Sequence, residues 1–284
     1  MPACATTTME TRGFFPNRRG QQLYFCAHGR AENGVGWIFC NPFLEEKTFT
    51  HSVYVALARQ LAAEGQFVLR FDYAGDGDSE GDLASIGLDE WVDDVSDAAA
   101  LGRDSFGLTR PRMFGLRLGA AVALRSVRAV GAVQALLWEP VVRGANYFQD
   151  CLMLNVTTQL AVYKRVMDDR RALRERLDRG ETVNIAGHEI GKLMAESIEA
   201  FVLADTIGTV GCPVDIVAVL KTDGATPNRD LQALVGRPGI SIEGRRAVPF
   251  WLEPRVIEAP PATLWEASRQ ALRRHVADIP GDRS

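Results

Sequence analysis

The chain has 284 residues, of which 46% are hydrophobic and 24% are charged. This composition is typical of a folded globular protein and excludes a disordered or fibrous one. The 32 lysines and arginines against 36 aspartates and glutamates give a net charge of −4. Because a nucleic-acid-binding surface requires an excess of positive charge, neither DNA nor RNA is expected as a partner.

The sequence predicts a cytoplasmic protein that uses no cofactor. It contains no run of 18 apolar residues, and residues 1–11 lack the basic start and apolar stretch of a secretory signal, so we expect no membrane span and a cytoplasmic location. No metal or cofactor is predicted. The cysteines are odd in number, scattered and without a C-x-x-C motif, which favours buried free thiols; they are Cys4, Cys26, Cys40, Cys151 and Cys212.

The first half of the chain alternates between predicted strands and helices. Two strands around a polar turn are expected between residues 13 and 28. Short apolar runs then predict strands at 36–40, 67–71, 111–114 and 134–138. Apolar residues at helical spacing predict helices at 53–64, 88–101 and 120–130.

The alternation stops after Pro140 and later resumes. Residues 142–202 predict three helical stretches, at 149–167, 168–179 and 188–201, with almost no strand signal. Strands at 214–220 and 240–248 and helices at 228–235 and 263–277 complete the pattern.

This order predicts an α/β protein with a mostly parallel eight-stranded sheet and helices on both faces. A core of residues 1–141 and 203–284 with a helical lid at 142–202 matches the α/β-hydrolase fold. A nucleotide-binding sheet of the Rossmann type would share most of the order. Its fingerprint is a poor match, however, because the loop from Gly75 to Gly81 has one residue too many before its last glycine and carries three carboxylates. A tight turn is therefore predicted there.

The segment from Phe114 to Ala120 reads Phe-Gly-Leu-Arg-Leu-Gly-Ala. A hydrolase carries G-x-S-x-G between a strand and a helix at this position, where the serine is the nucleophile. Here Arg117 replaces the serine. A guanidinium stays protonated and cannot attack a carbonyl, so nucleophilic catalysis from this position is excluded.

The other members of a catalytic triad are also missing. No histidine lies directly after the last predicted strand, in residues 247–253, where Phe250 and Trp251 stand instead. Asp223 lies about where a triad acid would be and is a possible residual acid, although a turn residue is favoured. The four histidines are predicted to be surface or capping residues; they are His28, His51, His188 and His275.

Arg117 requires a negative partner, because it lies at the N-terminal end of a helix, where the helix dipole disfavours a cation. Glu45, Glu46 and Glu139 are the candidates, and an internal ion pair is favoured over a bound anion. The predicted ligand pocket comprises eight residues at this level of the sheet: Arg117, Leu116, Leu118, Phe43, Glu45, Glu46, Glu139 and Trp251.

Four segments together resemble a known family: residues 41–47, 70–82, 115–120 and 249–254. They resemble the exosortase A system-associated hydrolases of the second type, which are related to serine aminopeptidases. The resemblance implies a hydrolase-like fold and an association with exopolysaccharide synthesis and protein sorting. This chain has Asn41 where that family usually has histidine.

The preferred hypothesis is a pseudo-hydrolase that binds a small or acyl-bearing ligand, with an anionic group facing Arg117. One alternative is an active hydrolase or acyltransferase that uses a carboxylate pair with Arg117 as electrostatic stabiliser. Another is a scaffold that presents an acidic helix to a basic partner, and a homodimer is also compatible with the sequence. The acidic helix carries Asp89, Glu90, Asp93, Asp94 and Asp97.

Overall fold

The computed structural model describes residues 9–252 and 259–274. One sheet holds eight strands. They are β1 (Glu10–Pro16), β2 (Gln22–His28), β3 (Val35–Cys40), β4 (Phe67–Phe71), β5 (Arg110–Leu116), β6 (Gln134–Trp138), β9 (Val214–Leu220) and β10 (Ile240–Arg246). A separate hairpin is formed by β7 (Val183–Ile185) and β8 (His188–Ile190).

The strand order in the large sheet is β1-β2-β4-β3-β5-β6-β9-β10. β2 runs antiparallel to both of its neighbours, and all pairs from β4 to β10 are parallel. The apolar runs of β3 and β6 are buried along their whole length, as expected of strands covered on both faces. The predicted eight-stranded, mostly parallel sheet is confirmed.

Helices cover both faces of the sheet. One hydrophobic cluster joins it to α1 and α9, and the other joins it to α2 and α3. The helices are α1 (Glu45–Ala63), α2 (Leu88–Phe106), α3 (Leu118–Val130), α4 (Gly144–Tyr163), α5 (Arg170–Asp178), α6 (Lys192–Glu199), α7 (Leu203–Ile207), α8 (Arg229–Gln232) and α9 (Ala262–Arg274).

The largest boundary error concerns α1, which begins at Glu45 rather than at residue 53. Its first turn carries two glutamates, which the helix dipole favours there, and Thr50 donates a hydrogen bond back to the Glu46 carbonyl. The earlier start places Glu46 on a helix. α8 is shorter than predicted, and the part of the last predicted helix beyond Arg274 lies outside the described residues.

Between β6 and β9 the chain is not purely helical, contrary to the prediction. Residues 188–190 form a strand, and the last predicted helix of the segment starts at Lys192. Ala186 and Gly187 connect β7 to β8, both with positive φ (51° and 88°), as a two-residue hairpin turn requires. Three-residue strands are too short to leave a periodic signal in the sequence.

The sequence led us to expect buried free thiols and no membrane span. Within residues 9–252 and 259–274, no helix is both long and apolar enough to cross a bilayer. Cys26, Cys40 and Cys151 are buried free thiols, and Cys212 is half-buried and free. Cys4 lies outside the described residues.

Candidate functional site

The turn from β5 into α3 has the backbone conformation of a nucleophile elbow. Arg117 occupies its apex with φ 55° and ψ −121°. Its N–H donates to the Trp138 carbonyl at 3.1 Å, and its carbonyl accepts from the Val141 N–H at 3.3 Å. A Cβ at Gly115 would overlap the backbone at the start of α3, and one at Gly119 would overlap the Cys40 and Asn41 carbonyls. Both glycines of the motif are therefore required by the turn.

Glu46 is the carboxylate that contacts Arg117. Its Oε1 lies 2.9 Å from Arg117 Nε, and the two side chains are only 13% and 19% exposed respectively. Burial would lower the pKa of Arg117, but Glu46, together with Tyr147 and Glu139, outweighs burial and raises that pKa above its usual value. Burial raises the pKa of Glu46, against the opposing effect of Arg117. The pair is largely shielded from solvent, so removal of either partner would leave the other as a buried, unpaired charge.

Two aromatic residues complete the surroundings of Arg117. Tyr147 on α4 donates its hydroxyl to Glu46 Oε2 at 2.8 Å. The guanidinium carbon lies 5.4 Å from the Tyr147 ring centre and 5.6 Å from that of Trp251, within range for cation–π attraction. Trp251 was among the predicted pocket residues, whereas Tyr147 was not. Its only sequence signal is an aromatic residue in the predicted lid.

The other two candidate carboxylates have different roles. Glu139 has a positive φ of 38°, and its Oε2 accepts the Val219 N–H at 2.6 Å. Burial raises the pKa of Glu139, while Val219 and Arg117 oppose the rise. Glu45 is half-buried in the first turn of α1 and forms no ion pair with any residue that the structure describes.

Arg117 lines a cleft of about 190 Å³ between the elbow, the start of α4 and α8. Glu139 and Tyr147 also line it. Only Nε of Arg117 is used by Glu46, and its two terminal nitrogens make no hydrogen bond with the described part of the chain. Four predicted pocket residues are instead buried in the hydrophobic clusters and do not line this cleft: Phe43, Leu116, Leu118 and Trp251. Glu45 and Glu46 do not line it either.

The side chains at the positions predicted for a triad histidine and acid form structural contacts. Phe250 is buried and packs edge-on against Trp138 and Trp251. Asp223, the possible residual acid, is 77% exposed and pairs with Arg246 at 2.5 Å. These contacts are those of a turn residue on the surface.

The histidine prediction was wrong for His28. It is fully buried in β2, where Nε2 accepts a hydrogen bond from Arg70 Nε at 3.1 Å, so an internal partner replaces water. His51 is exposed on α1, and His188 is half-exposed in β8. His275 lies outside the described residues.

Asn41, at the position of the family's usual histidine, ties two strand ends together. Its Nδ2 donates to the Phe71 carbonyl at 2.8 Å and to Asp72 Oδ1 at 3.2 Å. Both contacts lie within the protein. Its side-chain amide therefore positions the loop after β3 and is already occupied.

Unusual backbone conformations concentrate around Arg117. Among the described residues other than glycine, five have positive φ: Leu44, Arg117, Glu139, Lys164 and Ala186. The first three lie where β3, β5 and β6 end, at the same edge of the sheet. Such conformations cost about 1 to 3 kcal/mol each and cluster at functional sites.

The acidic face of α2 is occupied by the turn between β1 and β2. Arg18 pairs with Asp93 and Asp97, and Arg19 reaches Asp94 at 2.5 Å. Asp89 pairs with Arg125, and Glu90 accepts the Gly87 N–H at the start of α2. Because these acidic side chains already have partners within the chain, the contacts argue against the scaffold alternative, in which α2 binds a basic partner.

No protein-family model matches the chain, and no curated protein is significantly similar to it in sequence. Solved structures match it along almost all of its length. Est1E from Butyrivibrio proteoclasticus, solved with ferulic acid, has a TM-score of 0.65 at 14% identity and covers 93% of this chain and 99% of its own. Mouse alpha/beta hydrolase domain-containing protein 10 has a TM-score of 0.59 at 17% identity, covering 94% and 99%.

An esterase from Pyrococcus furiosus has a TM-score of 0.57 at 15% identity and covers 96% of this chain and 90% of its own. These similarities, together with the strand order and the elbow, show that the chain has the α/β-hydrolase fold. Identities this low establish the fold alone, so function must be argued from the site.

Proposed function

We propose that this chain is a hydrolase-like protein without a Ser-His-Asp triad, and that it binds a small anionic ligand at Arg117. One observation carries the proposal. The elbow that presents a nucleophile in hydrolases here presents a guanidinium, whose Nε is held by Glu46 while its terminal nitrogens remain available at a cleft. A planar guanidinium with free N–H groups is suited to a carboxylate or phosphate.

The size of the cleft limits the ligand. At about 190 Å³ it is smaller than the roughly 300 to 1,000 Å³ of common small-molecule sites. A compact anion fits as the structure stands. An acyl chain would require residues 142–202 to move, and we propose that these residues are a lid over a core of residues 1–141 and 203–284.

Tyr147 supports the lid assignment, because it lies on α4 and reaches across to Glu46 in α1. Opening of α4 would break this hydrogen bond and expose the ion pair to water. Ligand binding and lid position would then be coupled through the same three side chains.

The resemblance to exosortase A system-associated hydrolases extends the proposal to a cytoplasmic role linked to exopolysaccharide synthesis. This extension rests on the four sequence segments. Deletion of the gene in its host should alter exopolysaccharide output, and the variant Arg117→Met should reproduce the deletion if the site is responsible. An unchanged polymer in both strains would reject the link.

The alternative function is an active hydrolase or acyltransferase. Glu46 and Glu139 both flank Arg117, and burial raises the pKa of each. A carboxyl group with a raised pKa is suited to general acid catalysis. The guanidinium would then stabilise negative charge in the transition state.

Activity measurements separate the two proposals. We expect no labelling by a fluorophosphonate probe and only background turnover of a panel of esters, amides and thioesters. Stoichiometric labelling of a serine would reject the first proposal. Turnover that disappears in Glu46→Gln and persists in Glu45→Gln would establish the alternative.

Native mass spectrometry of the purified protein tests binding directly. A small anion retained by the wild type and absent from Arg117→Met would support a ligand site at the elbow. Wild-type protein that retains nothing, and that binds neither acetate nor inorganic phosphate in titrations, would contradict it.

A further inference from the structure

A second, larger cleft lies on the sheet beside α1. Its volume is about 470 Å³, and it shares no lining residue with the cleft at Arg117. Strands β1, β2 and β4 form its floor, and α1 forms one wall. This volume is within the usual range for a small-molecule site.

Strand register places two arginines in one row across the floor. Arg12 on β1 pairs with Cys26 on β2, and Cys26 pairs with Arg70 on β4. Residues directly opposite each other point to the same face of a sheet, and neighbouring strands lie about 5 Å apart, so the Cα atoms of the two arginines are about 10 Å apart. The small thiol of Cys26 leaves space between them.

Three guanidinium groups line this end of the cleft with one carboxylate among them. Arg59 approaches from α1, and its Nε lies 2.6 Å from Glu10 Oε1. Arg12 contacts the other oxygen of Glu10 at 2.5 Å. Glu10 is therefore shared by two arginines and leaves the third uncompensated.

Arg70 is that third arginine. Its Nε donates to Nε2 of the buried His28 at 3.1 Å, and among the described residues no carboxylate lies within 4.0 Å of its guanidinium nitrogens. Burial, assisted by the charge of Arg70, lowers the pKa of His28 to about 4, so the imidazole is neutral at pH 7. A neutral acceptor orients the guanidinium without cancelling its charge.

Two aspartates beside this cleft pair with Lys47, and one of them, Asp72, is only two residues from Arg70 along the chain. Lys47 Nζ lies 2.8 Å from both Asp72 and Asp76. Asp78 and the exposed His51 also line the cleft. Lys47 thus neutralises part of the negative charge, and Arg12, Arg59 and Arg70 form the cationic end of the cleft.

We propose that the cationic end of this cleft binds a phosphate or carboxylate group of a small molecule, with Arg70 as its principal contact. Arg12 and Arg59 flank the group, and Tyr24 offers an aromatic surface to the remainder of the ligand. Arginine forms paired hydrogen bonds with both kinds of anion. This site is independent of the function proposed for the cleft at Arg117.

Isothermal titration of the full chain with inorganic phosphate, acetate and phenyl phosphate tests the proposal. Saturable binding is expected for the anion class that the site takes, and phenyl phosphate should bind more tightly than phosphate if Tyr24 contributes. Arg70→Gln should weaken binding at least tenfold, and Arg70→Lys should fall between. Arg103→Gln is the matched control, because Arg103 is exposed on α2 and, among the residues that the structure describes, forms an ion pair with its neighbour Asp104 alone.

Two further variants keep the outcome unambiguous. Arg12→Gln removes an exposed side chain and should weaken binding without unfolding the protein, even if Arg70→Gln proves unstable. The elbow site proposed above would bind the same probes, so the share of this cleft is the part of wild-type binding that Arg70→Gln loses and Arg103→Gln keeps. Loss of binding in Arg117→Met with retention in Arg70→Gln would assign the anion to the elbow and overturn the proposal, as would wild-type protein that binds none of the three probes at 10 mM, about the weakest affinity of interest.

Discussion

At the scale of single residues, Arg117 shows how a largely buried cation is accommodated at the apex of a strained turn. A cation at the N-terminal end of a helix opposes the helix dipole. Glu46 offsets this effect by direct contact, and two aromatic rings shield the charge. We therefore expect the ion pair to stabilise the elbow with an arginine in it.

Arg117→Ser should destabilise the protein and create no esterase. The serine would have no base, since Phe250 and Trp251 occupy the position of the histidine, and Glu46 would lose its partner. We expect a loss of about 3 kcal/mol in the free energy of unfolding, measured by urea denaturation. Ester hydrolysis should remain at background.

A double-mutant cycle identifies the partner of Arg117. Arg117→Met and Glu46→Gln together should cost less than the sum of the single changes, because each single change strands the other group. Glu45→Gln is the control on the neighbouring residue and should combine additively with Arg117→Met. Additivity for Glu46 as well would show that the ion pair contributes nothing to stability.

His28 should make the free energy of unfolding depend on pH in the mildly acidic range. Its pKa is about 4 in the folded protein against 6.5 for a free side chain, so below pH 6.5 the unfolded chain takes up a proton that the folded one does not. The contribution of His28 to the free energy of unfolding should therefore be fully present above pH 6.5. It should decrease as the pH falls towards 4, by on the order of 2 kcal/mol. The raised pKa values of buried carboxyl groups act in the opposite direction and must be subtracted.

That subtraction is made by comparing variants. Urea unfolding at several values between pH 7 and pH 4.5 should show a smaller acid loss for His28→Gln, whose amide oxygen can still accept from Arg70. His51→Gln, on the exposed side of α1, should keep most of the loss. Parallel curves for wild type and His28→Gln would mean that His28 is not the group responsible.

At the scale of elements, the close contact between α3 and the end of β3 fixes the elbow. Gly119→Ala would insert a methyl group against the carbonyls of Cys40 and Asn41. We expect a cost of roughly 1 to 3 kcal/mol, observed as a lower Tm. Gly211→Ala is the matched control, because no atom lies within 4 Å of the position that its added methyl group would take. Equal melting temperatures for both variants would show that α3 can shift away from β3 without cost.

Elements with strong periodicity were predictable from the sequence, and those defined by tertiary contacts were not. The continuous apolar runs of β3 and β6 predicted buried parallel strands, and the glycines around Arg117 predicted the elbow. The early start of α1 carries no apolar periodicity, so the sequence left three carboxylates open as partners of Arg117. Tyr147 reaches the site through its contact with Glu46 on α1, a tertiary contact that no local pattern encodes.

At the scale of the whole molecule, the segment between β6 and β9 is the part expected to move. The connection from α4 to α5 exposes Val166 and Met167 and carries Lys164 and Arg165. Trypsin should therefore make its first cut within the described residues at Lys164 or Arg165, while exposed Arg103 inside α2 stays intact longer. Peptide mapping by mass spectrometry identifies the site.

Amide exchange provides the independent check on this mobility. Exchange in α4 and α5 should be faster than in β5, and a ligand at Arg117 should slow both exchange and cleavage through Tyr147. Protection in α4 equal to that in β5 would mean that residues 142–202 are a fixed part of the core.

The positive φ at Arg117 also bears on how far this chain lies from a working hydrolase. The backbone already holds residue 117 where a nucleophile would stand, and the helix behind it needs no rebuilding. A triad at this elbow would also require a hydroxyl, a base and an acid to orient the base. Because the backbone geometry is already present, such a triad could be built by substituting side chains, and the release of Glu46 from its partner would be the first obstacle.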